Sequence, residues 1–574
     1  MVNQATLTVN RANAEMGTKA FDAFCEETKD AIGTTTKLLM KLLSDNKNTE
    51  YGKKYHFADI HTIEDYQKNV PVAVYDDFAP YIEKMKNGEQ NVLTAYHCDH
   101  MNETSGTIGV PKAVPMTSEQ ADVFAKYNNL CLYGLLKKHA NADWVNGRAF
   151  CTASGNCRTL ASGITVGEAS AKMADYIKGG KSTLDQMIRT MYTSPLEGLN
   201  PVPGSDSKYI HARFALMDRE VRGMITCFSS IAVLYLAYIA DHYEMLIEDI
   251  EKGTINETLN IDAETRKSLL SKIVPMPERA AELREAFSEG SGKPFVRKIW
   301  PNFCYLCGVG ADGFSVYDNM LSERFFGEKI DRIYSGITAS EGLWSIPIGM
   351  NDPDSAIVPG AGFIEFLPVE AEGDFSQCVT MDKVEKGKVY ELIITNLSGF
   401  YRYRMSDAVM ITGFYHKTPL VRFMYRVNRT INMAEEKTTE KALQIAVENS
   451  AKDLHIPLSD FIVYPDDTLT PNRYVFLIEP RTEMIGFDMK KLRDTVFKRL
   501  CEANPVYLDC YNDHWLDMPE VFFLQPQTSL LYRDLMAMKG ASVNQLKPVR
   551  VIMNEMQRKF FFRFLQETED IGRG

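Results

Sequence analysis

Three features are missing from this sequence of 574 residues, and each absence excludes a class of protein. It has no run of lysine and arginine and a net charge of −12, which excludes a nucleic-acid binder with a basic stripe. The most apolar stretch, 225–240, is too short and too polar for a bilayer span of about 20 residues. Residues 1–17 lack a basic region followed by an apolar run, so we expect no secretory signal.

Cysteine is present but not in the spacing of a zinc site. The 11 cysteines are scattered, and Cys304 and Cys307 form the sole Cys-x-x-Cys, with no second pair to complete a metal site. We interpret them as buried thiols in a reducing compartment and expect a cytoplasmic protein. The 30 Phe, 27 Tyr and 27 Met exclude disorder and predict a large core.

Alternating helical and strand patterns predict an α/β fold in two domains. Helical spacing of apolar residues recurs at 20–43, 119–136, 226–251 and 263–287, and strand patterns lie at 363–369, 389–395 and 408–413. The pattern restarts after Arg426, with helices at 439–452 and 490–501 and strands at 461–464 and 474–479. We therefore predict a large N-terminal domain with a β-rich subdomain at 1–425, a hinge at 426–430 and a smaller α+β domain at 431–574.

The stretch 103–112, ETSGTIGVPK, has the composition of an anion-binding loop. Glycine lets backbone amides turn inward and hydroxyls add donors, which together form a nest for phosphate oxygens. Pro111 before the lysine excludes a Walker A loop, which ends in Gly-Lys-Ser/Thr. A surface turn has the same composition, so both interpretations stay open.

A second glycine pattern, 308–313, matches the Gly-x-Gly-x-x-Gly of dinucleotide-binding proteins. The acidic residue about 20 positions later should end the second strand of such a fold. Asp331 instead precedes the apolar residues 333–334. The sequence therefore argues against a dinucleotide site here.

Three later motifs carry charged side chains. Glu341 ends Ile-Thr-Ala-Ser-Glu and is a candidate magnesium ligand, although Ser340 and Glu341 also suit a helix N-terminus. Asp407 precedes a predicted strand and is a candidate for both ribose hydroxyls, with the flanking arginines orienting it or meeting a carboxylate; the alternative is a surface ion pair. Lys547 is either solvated or brought as a point charge to a reacting phosphate.

The order of these motifs resembles that of the adenylate-forming (ANL) superfamily. Other segments resemble the auxin-responsive acyl acid amido synthetases (the Gretchen Hagen family), and the similarity runs from about residue 48 to 550. The segments are 48–52, 80–82, 299–302, 363–368, 399–407, 412–414, 437–440, 446–449 and 540–550.

This resemblance implies a ligase that uses ATP and Mg²⁺, with a firefly-luciferase-like N-terminal domain and a mobile C-terminal domain. A carboxylic acid would attack ATP to give an acyl-adenylate, and an amino acid or other amine would displace AMP to form an amide. The expected partners are these small molecules, without nucleic acid or membrane, and the expected state is a monomer. The alternatives are an acyl-CoA ligase using the same adenylate and a catalytically weak nucleotide-binding relative.

The resemblance also implies site residues. ATP contacts would come from the phosphate loop, the hydroxyl–Glu element, the ribose aspartate, the hinge and the late lysine, with Lys547 and Glu341 as catalytic residues and Glu341 also as metal ligand. In chain order these residues are Thr104, Ser105, Gly106, Thr107, Thr338, Ala339, Ser340, Glu341, Asp407, Arg426 and Lys547. The acyl or amino-acid site would include Thr165, Gly167 and Ser170. Two positions depart from the family pattern: Ile337 replaces an aromatic residue, and Ser406 replaces the glycine before the ribose aspartate.

Overall fold

The chain forms two structural units, and a short segment of the second interrupts the first along the sequence. The first unit comprises Met1–Ala311 and Leu321–Phe423, and the second comprises Asp312–Met320 and Met424–Gly574. The computed structural model describes residues 4–103, 112–155, 157–167, 188–202, 204–311, 315–371, 373–427, 431, 433–434, 436, 438–539 and 546–566. The hinge at 426–430 stays a prediction, and residues 428–430 lie outside this description.

The helices of the first unit lie before residue 330. They are α1 (Gln4–Lys29), α2 (Ala31–Asn46), α3 (Glu50–Lys54), α4 (Ile63–Asn69), α5 (Tyr75–Lys86), α6 (Ser118–Val123), α7 (Cys131–His139), α8 (Leu196–Leu199), α9 (Ser207–Met217), α10 (Ser229–Lys252), α11 (Ala263–Leu270), α12 (Pro277–Ala286) and α13 (Val296–Ile299). Phe124–Leu130 and Leu321–Phe326 form π-helical turns. Single 3₁₀ turns lie at Phe57–Asp59, Ala142–Asn146, Val369–Ala371 and Phe375–Gln377.

A parallel sheet and a mixed sheet occupy the first half of this unit. The parallel sheet has the order β3-β6-β7-β8, and the mixed sheet has the order β2-β1-β5-β4. Their strands are β1 (Cys98–Glu103), β2 (Ala113–Thr117), β3 (Arg148–Cys151), β4 (Cys157–Thr159), β5 (Thr165–Gly167), β6 (Val221–Phe228), β7 (Tyr305–Val309) and β8 (Arg332–Tyr334).

A hairpin and a seven-stranded sheet follow. The hairpin joins β9 (Thr338–Ala339) to β10 (Gly342–Leu343), and the large sheet has the order β11-β12-β17-β16-β15-β13-β14. Its strands are β11 (Ser345–Pro347), β12 (Ser355–Ile357), β13 (Phe363–Pro368), β14 (Val379–Thr380), β15 (Val389–Thr395), β16 (Tyr403–Tyr415) and β17 (Thr418–Arg426).

The second unit is a three-stranded sheet with helices. The sheet has the order β18-β19-β20, and residues of both sheet faces and the helices form its core. The elements are α14 (Ser315–Met320), α15 (Glu440–Asp453), β18 (Leu458–Asp466), β19 (Arg473–Pro480), α16 (Met489–Ala503), α17 (Pro505–Asn512), β20 (Glu520–Phe523), α18 (Thr528–Met538) and α19 (Glu555–Arg563).

Most predicted elements are confirmed, and the exceptions have local causes. The helix predicted at 20–43 is two helices, of which the first begins at Gln4 and the second follows a break at Asp30. The short helix α3 comes next, and the Thr49 side chain caps it by accepting from the amide of Gly52. The helix predicted from 226 begins at Ser229, because residues 221–228 form a central strand. The helix predicted at 263–287 is interrupted before Pro277, which begins a second helix.

Candidate active site

The candidate phosphate loop joins two paired strands. β1 and β2 are antiparallel, and Glu103 lies directly opposite Ala113, so the ends of the intervening loop are held together. Arg158 donates two hydrogen bonds, of 2.7 and 2.9 Å, to the carboxylate of Glu103 at the end of β1. Thr104, Ser105, Gly106 and Thr107 lie outside the described residues, so their role stays a prediction.

Glu341 lies in the turn of a β-hairpin and not at the start of a helix. β9 contributes Thr338 and Ala339, and Ser340 and Glu341 form the two-residue connection to β10. The alternative interpretation of Ser340 and Glu341, as the N-terminus of a helix, is therefore wrong. Ser340 and Glu341 are half-buried and Thr338 is exposed, so the turn is open to a ligand.

Two buried asparagines hold the carbonyl groups of this turn. Nδ2 of Asn102 donates to the carbonyl of Ser340 at 2.9 Å, and Nδ2 of Asn396 donates to the carbonyl of Glu341 at 2.7 Å. Each asparagine is 1% exposed. Asn102 precedes Glu103, and Asn396 precedes the glycine-to-aspartate motif at 399–407. The two side chains therefore connect three motifs that are far apart in the sequence.

Asp407 lies inside a strand, at an irregularity in its pairing. The register between β15 and β16 shifts where Glu391 opposes Ala408 and Ile393 opposes Arg404, so residues 405–407 bulge. Asp407 is 5% exposed, and Ser406 has φ of 63°. This left-handed backbone favours glycine, which explains the glycine of the family pattern at this position. Ser406 keeps the bulge that a glycine would form.

The arginines beside Asp407 form ion pairs with other carboxylates. Arg402 donates to both oxygens of Glu365, at 2.9 and 3.0 Å, and Arg404 donates to both oxygens of Glu391, at 2.7 and 3.0 Å. Burial lowers the pKa of Arg402, but the Glu365 carboxylate outweighs it and the pKa is raised. Both arginines thus fasten the strand that carries Asp407, and Arg402 does so within the protein interior.

The predicted acyl or amino-acid loop begins beside Asn102. β5 runs parallel to β1, with Thr165 opposite His100 and Gly167 opposite Asn102. The hydroxyl of Thr165 donates to the carbonyl of Asp99 at 3.2 Å and lies 2.8 Å from Nδ1 of His100. Thr165 therefore fastens the two strands, while Gly167 lies next to the asparagine that holds the Ser340 carbonyl. Ser170 lies outside the described residues.

A small, partly enclosed cavity of about 20 Å³, room for about one water molecule, lies near the Glu341 hairpin. Residues before β9 and after β10 line one side, and the π-helical turn with the start of α7 lines the other. The lining residues are Tyr127, Asn128, Cys131, Leu132, Cys307, Ile333, Ser335, Gly336, Ser345, Ile346 and Pro347. Its walls are mostly apolar, with a few hydroxyl and amide groups, and it is too small to hold a substrate.

The second glycine pattern is explained by strand packing. Gly308 lies in β7, where a Cβ atom would come within 2.5 Å of the Thr226 carbonyl oxygen on the neighbouring strand. Asp331 precedes β8, at the opposite end from the carboxyl end where nucleotides bind in such sheets. Neither residue therefore supports a dinucleotide site.

Arg426 and Lys547 belong to the second unit. Arg426 ends β17 and is half-buried, and Lys547 is exposed on an extended segment that follows residues 540–545, which lie outside the description. None of the described helices is long and apolar enough to cross a membrane.

Family models match almost the whole chain. The N-terminal domain model of the GH3 family matches residues 20–330, the central domain model 355–426 and the C-terminal domain model 441–556. This chain belongs to the GH3 family. The resemblance seen in the motifs is thereby confirmed.

Two curated GH3 relatives align over most of the chain. The 4-substituted benzoates-glutamate ligase GH3.12 of Arabidopsis thaliana is 27% identical and covers 90% of this chain and 92% of its own length. The indole-3-acetic acid-amido synthetase GH3.8 of Oryza sativa subsp. indica is 27% identical and covers 92% of this chain and 89% of its own length.

Solved structures confirm the predicted fold class. The GH3.15 acyl acid amido synthetase superposes with a TM-score of 0.83 at 24% identity, covering 94% of this chain and 95% of the other. A 2-hydroxyisobutyryl-CoA ligase in the postadenylation state gives 0.52 at 11% identity, covering 94% and 92%. The GH3 chain described here has the α/β fold of adenylate-forming enzymes, with a large first unit and a smaller second one.

Proposed function

We propose that this GH3 protein is an ATP-dependent acyl acid amido synthetase. A carboxylate oxygen of the acid attacks the α-phosphorus of ATP, the bond to the β-phosphate breaks, and pyrophosphate leaves. The amine nitrogen of an amino acid then attacks the acyl carbon, AMP leaves with the former carboxylate oxygen, and the nitrogen loses a proton. The observation that carries this proposal is the match of three GH3 domain models, in order, to a chain whose relatives are amido synthetases.

The hairpin turn at Ser340 and Glu341 suits a nucleotide with its metal. Magnesium takes one or two protein carboxylates together with phosphate oxygens, and Glu341 supplies one carboxylate on a turn whose carbonyls are fixed. When bound, Mg²⁺ would offset the repulsion between the acid and the phosphates. Thr338, Ala339 and Ser340 would contact adenine and the α-phosphate, and the bulged Asp407 would accept the ribose hydroxyls.

The remaining roles are proposed from the charge and the hydrogen-bond donors of the side chains. Thr104, Ser105, Gly106 and Thr107 would supply donors to the phosphates, and Lys547 would place an ammonium beside the phosphate under attack. Arg426 would lie at the hinge. We expect a monomer. We also expect a cytoplasmic protein, because thiols persist in a reducing compartment, although Cys157 and Cys227 are exposed and not buried as predicted.

The test has two parts, one for each half-reaction. ATP–pyrophosphate exchange with Mg²⁺ is measured over pools of aryl, indolyl, fatty and amino acids, for the wild type, Lys547→Ala and the control Lys498→Ala, an exposed lysine of the second unit. We expect acid-dependent exchange that falls about tenfold or more in Lys547→Ala alone.

The second part asks which nucleophile releases AMP. Release that depends on an amino acid supports amide formation, whereas release that depends on coenzyme A would identify an acyl-CoA ligase. ATP binding without exchange in any pool would favour a catalytically weak nucleotide-binding relative.

A further inference from the structure

The segment that carries Lys547 is fastened to an edge strand of the second unit. The amide of Val463 in β18 donates to the carbonyl of Arg550 at 2.8 Å, and the amide of Ile552 donates to the carbonyl of Val463 at 2.9 Å. These two hydrogen bonds form an isolated parallel bridge between Val463 and Val551. The main chain is therefore fixed within a few residues of Lys547.

A buried ion pair reinforces this attachment. The guanidinium of Arg550 binds the carboxylate of Asp460, three residues before Val463 in β18, and donates to the carbonyl of Phe461 at 3.1 Å. It also lies over the Phe461 ring, 4.6 Å from the centroid. The side chains are 9% and 4% exposed, so water and salt screen the pair little.

Asp460 connects this pair to a second part of the unit. The hydroxyl of Tyr317 on α14 donates to Oδ2 of Asp460 at 2.7 Å, and the amide of Phe461 donates to Oδ1 at 2.8 Å. Tyr317 is 5% exposed. Removing the Asp460 charge would take away the carboxylate that the buried Arg550 binds, and breaking a buried ion pair in this way is strongly destabilising.

We propose that Asp460 and Arg550 are positioning residues for Lys547. They hold the main chain three residues beyond Lys547. The backbone that carries the ammonium group is therefore fixed in the second unit when the acid attacks the α-phosphorus. This inference rests on the proposed function, in which Lys547 acts in the adenylation step. Because that charge is needed where negative charge develops on the oxygens of the α-phosphate, the pair matters more for adenylation than for attack of the amine on the acyl carbon.

The test uses Asp460→Asn, which keeps the shape of the side chain but removes its charge, and Arg550→Lys, which keeps the charge but loses the planar fork. The control is Asp453→Asn, which breaks a more exposed ion pair with Arg499 in the same unit. Hydrogen–deuterium exchange followed by mass spectrometry reports on the peptide 546–553, and the two half-reactions are timed separately, the second with preformed acyl-adenylate.

In Asp460→Asn we expect the rate of deuterium exchange at the Ile552 amide, measured in the peptide 546–553, to rise about tenfold and kcat for ATP–pyrophosphate exchange to fall about tenfold. KM for ATP and the rate of aminolysis should stay within about threefold of the wild type. For Arg550→Lys, the deuterium exchange rate and kcat should lie between those of the wild type and Asp460→Asn. Asp453→Asn should match the wild type in every readout.

Unchanged deuterium uptake in Asp460→Asn would overturn the proposal, and so would an equal loss in both half-reactions, because that indicates a general loss of structure. A failure of the proposed function looks different. In that case the wild type shows no acid-dependent ATP–pyrophosphate exchange, or Lys547→Ala keeps the full rate of ATP–pyrophosphate exchange. Deuterium uptake still decides whether the ion pair fixes the segment.

Discussion

The asparagine that holds the Glu341 turn offers two substitutions that test its separate hydrogen bonds. The side-chain amide of Asn396 donates to the Glu341 carbonyl, and its oxygen accepts from the amides of Ser398 and Phe400, at 3.0 and 2.9 Å. Both of these residues are fully buried. Asn396→Ala leaves two buried amides without an acceptor, at about 1–3 kcal/mol each, so we expect a loss of about 2–6 kcal/mol in unfolding free energy.

Asn396→Asp keeps the acceptor for both amides but no longer donates to Glu341. We expect it to lose about 1–3 kcal/mol of unfolding free energy, because a buried carboxylate replaces the donor and faces the Glu341 carbonyl oxygen. We also expect it to slow ATP–pyrophosphate exchange about five- to tenfold, because the turn is no longer held. Urea titration and the exchange assay measure the two effects. Asn69→Ala, which removes an exposed bond to the Asp65 carbonyl, is the control and should change neither. Exchange at the wild-type rate in Asn396→Asp would refute the role assigned to this bond.

Two further outcomes follow from buried charges. Glu365→Gln breaks the buried pair with Arg402 and should cost about 3–5 kcal/mol in a urea titration, whereas Glu50→Gln, in an exposed pair, should cost about 0–1 kcal/mol; equal costs would contradict this. Burial, and to a lesser extent the Asp460 carboxylate, raise the pKa of Glu479 to about 7. The stability that this group contributes is therefore present below pH 4.5 and is lost as the pH rises through about 7. Relative to the wild type, Glu479→Gln should therefore gain about 1 kcal/mol of unfolding free energy per pH unit across that window, and a constant difference would contradict the raised pKa.

Periodic patterns predicted the fold well because they report directly on burial. The strands at 363–369 and 389–395 and the helix at 439–452 are present within one residue of their predicted ends. Patterns failed where chain connectivity decides, as at β6, whose last residues continue the apolar run of the following helix. They also failed where a break such as Pro277 interrupts a single helical pattern.

The motifs predicted which segments form the candidate site but not what joins them. Asn102 and Asn396 carry no signal in the sequence, since a single asparagine within a strand or loop has many structural roles. Their importance comes from pairing between strands distant in the sequence, which only the fold defines. For Arg402 and Arg404, the motif contains the charged side chains but does not predict their partners, because Glu365 and Glu391 lie on strands outside the motif.

The most direct test of the proposed reaction follows an oxygen atom. Carboxylic acids labelled with ¹⁸O in the carboxyl group are incubated, in pools, with the protein, ATP, Mg²⁺ and amino acids, and the nucleotide products are weighed by mass spectrometry. If the acid attacks the α-phosphorus and the amine then displaces AMP, the AMP carries one ¹⁸O and an amide of the same acid accumulates. Label in inorganic phosphate with formation of ADP, or an amide formed with unlabelled AMP, would contradict adenylation.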